Sequence, residues 1–93
     1  MKIHLVGEID TNRVWLNGKE LDPLSSQRIV DHSPDGFAWG YGGSGPAQLA
    51  LAICLEIYIR ETALKLYQAF KWKYIAILPE TDFDVHINLP NAI

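Results

Sequence analysis

The densest run of chemistry-bearing residues lies between His32 and Gly45. Five of the seven glycines fall between Gly36 and Gly45, and the segment leads straight into an apolar stretch that opens at Pro46. A glycine loop entering a helix can turn several backbone N–H groups toward one point, and the positive end of the helix adds to them. Such a nest holds phosphate or another anion. Gly42, Gly43, Ser44 and Gly45 would form it, with Trp39 and Tyr41 alongside. Against that use, the loop lacks the Lys and Ser/Thr of a P-loop and the G-x-G-x-x-G spacing of a dinucleotide site, and Pro46 removes one N–H. The plainer expectation is a tight turn beneath Trp39 and Tyr41, with Gly43 at positive φ.

Other reactive residue types fall short of a mechanism. Phe37, Trp39 and Tyr41 alternate with Ala38 and Gly40, so an extended segment would align three aromatics that could stack bases, although packing against an apolar helix is the commoner use. Ser44 lacks the second glycine of a nucleophile elbow, because Pro46 stands there. Asp31-His32-Ser33 holds triad residue types, yet sequence neighbours rarely aim at one atom. No catalytic residue is assigned, and an enzyme is the reading placed last. His4, His32, His86 and the single Cys54 match no ligand spacing, so neither a metal nor a cofactor is expected.

Charge points elsewhere. Residues 1–59 carry −3, residues 60–73 carry +3 through Arg60, Lys65, Lys71 and Lys73 against Glu61, and residues 74–93 carry −3. In a helix over 61–78, Ala63, Leu66, Tyr67, Phe70, Tyr74, Ile77 and Leu78 form one apolar stripe. Trp72 falls on the opposite side with Lys65 and Gln68. An exposed tryptophan among basic residues is a contact surface for a protein partner or a second copy of the chain.

These residues need elements to hold them. Strands are expected at 3–8, 13–16 and 19–21, with Asn17-Gly18 as a hairpin turn, and a last alternating strand at 83–87. One helical turn fits 24–31. A helix from Gly45 to about Ile59 has glycine as its cap, proline in its first turn and Gln48 placed to reach back to the cap. Its apolar residues point in nearly every direction, so it belongs at the centre. The fold class is α+β: an N-terminal antiparallel hairpin or meander and a C-terminal strand, packed on two antiparallel helices.

Composition sets the outer bounds. Ninety-three residues, 48% hydrophobic and 20% charged, support one domain over residues 1–93 with one core. Roughly two thirds of the unfolded surface would be buried. A net charge of −3 argues against a nucleic-acid binder. The longest apolar run, Pro46 to Ile59, is about six residues short of a bilayer span. The opening residues are no export signal, and the lone cysteine fits a reducing cytoplasm.

The run His32-Ser33-Pro34-x-Gly36-Phe37-x-Trp39-Gly40-Tyr41-Gly42-Gly43-Ser44-Gly45-Pro46-Ala47-Gln48-Leu49-Ala50 resembles the signature of a family of small bacterial, plasmid and phage proteins, domain of unknown function 6166. Ala63-Leu64-x-x-Tyr67-Gln68-x-Phe70-Lys71 and Val14-x-Leu16-x-Gly18-x-x-Leu21-Asp22-Pro23 continue it, so the likeness covers most of residues 13–78. The segment from Pro79 onward matches no part of it. The resemblance implies a cytoplasmic protein of bacteria or their mobile elements, and no activity. With Trp72, Lys65 and Gln68 it makes an interaction protein the first expectation, one that binds or inhibits a protein partner, as a counter-defence protein does. A small-ligand or nucleotide module using the glycine loop is the second.

Overall fold

A computed structural model describes residues 1–90. Alternating residues make Lys2–Glu8 a strand, β1, with Ile3, Leu5 and Gly7 buried and the intervening side chains on the other face. Asn12, at φ 58°, turns the chain into β2, Arg13–Leu16. Asn17 and Gly18 at φ 51° and 83° supply the two positive values that a tight hairpin turn requires, and β3, Lys19–Glu20, returns along β2. The last strand, β4, Phe83–Asn88, joins the free side of β1, so the antiparallel sheet has the order β3-β2-β1-β4.

Asp22 accepts the Leu24 N–H and starts a short helix, α1, Pro23–Gln27. The central helix, α2, runs Ser44–Ile57, with Leu49, Leu51, Ile53 and Cys54 wholly buried. Each of the three aliphatic side chains contributes roughly 1.5–3 kcal/mol by leaving water. After a two-residue link, α3, Arg60–Phe70, folds back on α2. One apolar cluster joins the inner face of the sheet to α2 and α3, which is the expected α+β arrangement.

Two expectations about the helices are corrected. The cap of α2 is Gly43, not Gly45, and Gln48 does not reach back to it. Its amide is turned inward, where Oε1 accepts the N–H groups of His32 (2.8 Å) and Ser33 (3.0 Å), and Nε2 donates to Ser26 Oγ (2.8 Å) and Val30 O (3.1 Å). The long helix over 61–78 also changes pitch. Beyond Phe70 it widens into a π-helical turn, Lys71–Ile75, closed by Ala76 N–H on Lys71 O at 2.8 Å. The extra residue in that turn slips the phase, so Ile75 enters the core, and the helix ends there and not at Leu78: Ile77, assigned to the core stripe, lies in the turn that follows and stands 74% exposed, while Leu78 is buried.

Candidate functional site

The glycine loop and the second helix meet. Gly40, at φ +89°, gives its N–H to Ile75 O at 3.1 Å, and a Cβ there would lie 2.5 Å from Glu80 Cγ. Glycine is therefore required at this position by both conformation and space. The bend separates the aromatics that an extended segment would align. Phe37 and Trp39 are buried, whereas Tyr41 is 48% exposed. Trp39 packs edge-on against Phe83, and its Nε1–H donates to Thr81 O at 2.9 Å. Its ring lies in the core and lines no ligand surface beside the loop.

Trp72 comes from the π-helical turn and rests on Gly42, where a Cβ would lie 2.0 Å from the indole Cη2. Tyr41 rests in the same way on Gly43, with 2.4 Å from an added Cβ to its Cε2. An aromatic thus covers Gly43, but Gly43 is extended at φ −96° and ψ −163°, not the positive-φ turn expected there. Gly45 is buried against Ala38, and Ser44 is the exposed first residue of α2. Two of the three nest glycines are accordingly covered by the chain's own rings, and the third is packed inside.

Lys71 ties the patch together. Its Nζ lies 4.4 Å from the Trp72 ring centroid and donates to Gly42 O at 3.5 Å. A cation over an indole face is worth about 0.5–2 kcal/mol and limits the ring's freedom. Even so, Trp72 remains 60% exposed. Lys65 and Gln68 are exposed on α3 before it, and Lys65 Nζ pairs with Glu61 at 3.3 Å. Lys71 entered the sequence reading only as one of the basic residues of 60–73 and as the end of a family motif, and nothing in its spacing pointed to the contact with Trp72.

Elsewhere the candidate reactive groups are occupied or closed. His32 Nε2 is 2.7 Å from Tyr67 Oη, so Asp31, His32 and Ser33 do not converge. Burial pushes the Cys54 thiol up to about 12, which removes it as a nucleophile or ligand. A groove of about 370 Å³ between Tyr58, Leu66, Phe70, Tyr74 and Leu89 ends at Pro90, where the described residues stop. On the outer face of the sheet, His4, Asp84 and His86 bring three potential ligand atoms within 4.8 Å of one another. No helix among the described residues is long and apolar enough to cross a membrane.

A family model, described as a family of unknown function (DUF6166), matches residues 5–89. The chain belongs to that family. The match extends beyond 13–78 at both ends and takes in β1 from Leu5 onward and all of β4, which corrects the reading that nothing after Pro79 belongs to it. Neither a search of curated proteins nor one of solved structures finds a match.

Proposed function

We propose that this DUF6166 chain is a small protein-binding module, of the kind encoded by bacteria and their mobile elements, whose partner docks over Trp72. One observation carries the reading: a tryptophan 60% exposed, seated on Gly42 and held by a lysine against its face. A large aromatic held in place before contact loses little freedom on binding, which is how hot-spot residues gain their weight. Tyr41 extends the apolar area, and Lys71 sets one positive charge against the indole, so the matching surface is apolar at its centre with an acidic group beside it. The loop's glycines support this use better than anion binding, because Gly42 and Gly43 are where the two rings lie.

Trp72→Ala tests it. The variant is expected to melt within a few degrees of the wild type and to lose association by about 2 kcal/mol or more. The measurements are thermal melts, gel filtration for self-association, and quantitative comparison of what wild type and variant retain from host extract. A partner held equally by both proteins would move the contact surface elsewhere, and a variant that unfolds would make Trp72 a packing residue.

A further inference from the structure

The outer face of the sheet carries a group that the docking surface does not use. Leu89 N–H donates to Met1 O at 2.7 Å. Counting along the antiparallel ladder from that pair makes His4 and His86 a non-hydrogen-bonded pair, the class whose side chains stand closest. Their rings stack with centroids 4.3 Å apart and planes 9° from parallel. Asp84, two residues before His86 and on the same face, brings Oδ1 to 2.5 Å from His4 Nε2. An ionised carboxylate only accepts, so Nε2 carries the proton between them. On the other side of β1 the backbone of His4 is fixed twice by Asn17: its N–H donates to Asn17 Oδ1 and its carbonyl accepts from Asn17 N–H, both at 2.8 Å.

We propose that His4, Asp84 and His86 bind a divalent transition metal, with Zn²⁺ the ion that best fits the donors. Two imidazole nitrogens and one carboxylate oxygen form a mixed set suited to zinc, which takes three protein ligands and leaves a fourth position for water or an outside group. Mg²⁺ and Ca²⁺ prefer oxygen throughout. Tetrahedral bonds of about 2.0–2.2 Å put neighbouring ligand atoms roughly 3.3–3.6 Å apart. The ion therefore takes the place of the proton between His4 and Asp84 with an opening of about an ångström, while a side-chain rotation tilts a His86 nitrogen inward. The proton leaving His4 Nε2 passes to Nδ1 or to solvent.

Ligand side chains on two paired strands are held more firmly than on loops, and the Asn17 bonds fix the backbone behind one of them. The side chains of His4 and Asp84 are 38% and 68% exposed, so the open position faces water. An exposed His–Asp pair alone adds little to stability. The second imidazole, stacked on the first, is what converts the pair into a chelate.

Calorimetric titration of the metal-free chain with ZnCl₂, alongside NMR of the imidazole nitrogens, tests the proposal. Saturation at one ion per chain is expected, with the ring signals of His4 and His86 moving together and those of His32 unchanged. His86→Ala and Asp84→Asn should each weaken binding about tenfold or more. Both residues are exposed on the outermost strand, and melting curves verify that the variants fold. The NMR result on the wild type stands independently of them. No saturable binding by the wild type, or affinity unchanged in either folded variant, overturns the assignment.

Discussion

Gln48 and Gly42 lie six residues apart in one loop-and-helix segment, yet one serves the interior and the other the surface. The Gln48 amide is wholly buried and satisfies four partners in the 26–33 segment. Gly42 lies near the surface beneath an indole that the rest of the chain leaves mostly in water. The first arrangement is required by the fold, because a buried polar group without partners costs more than its bonds contribute. The second has no such necessity, since removing an exposed ring uncovers no core. A single sequence signature can therefore hold an internal brace and a seat for an exposed ring, and the two separate by burial and not by residue type.

The sharpest way to break that contrast is Gln48→Leu. Two N–H groups and one carbonyl would lose their partner and the Ser26 hydroxyl its donor, and a loss of about 3–5 kcal/mol in urea melts is expected. A loss below about 1 kcal/mol would mean that the 26–33 segment is held by other contacts. The same helix offers a pH test. Cys54 is pushed from 9.0 to about 12 by burial, so between those values the folded chain keeps its proton and the unfolded chain loses it. Its share of stability is full below about pH 9 and falls by roughly 1.4 kcal/mol per pH unit toward pH 12. Cys54→Ala should flatten that part of the alkaline profile, and equal slopes in the two proteins would show that the thiol is open to water. Smallest is Gly43→Val, expected to cost less than about 1 kcal/mol, because φ −96° is open to valine and the ring it displaces belongs to exposed Tyr41. A larger loss by chemical denaturation would give the outer arrangement a structural role after all.

Local chemistry was legible in the sequence and long-range chemistry was not. Asn17-Gly18 announces its turn because both residues tolerate positive φ, and the apolar surround of 46–57 announces a central helix. Trp72 falls on the outer side because Lys65 and Gln68 set the phase before the π turn. Ile77 was misplaced because the helix slips its phase in the π turn and then ends at Ile75, and no nearby residue signals either. Gln48 fits a capping pattern equally well; its inward course depends on Ser26, Val30 and His32, which only the folded chain brings near. Trp72 on Gly42 and His4 beside His86 are likewise products of topology, since spacing along the chain describes only neighbours.

The pairing of β1 with β4 also orders events during synthesis. His4 meets Asp84 across 80 residues, a separation whose closure costs on the order of 4 kcal/mol in chain entropy. A ribosome delivers β1 first and β4 last, so the hairpin of β1, β2 and β3 must wait with one strand edge unsatisfied while both long helices emerge. The nascent chain is most open to mispairing during that interval. Completion of the sheet is consequently a late and single event, and chains cut short before Phe83 would leave the ribosome with Ile3 and Leu5 short of a neighbouring strand.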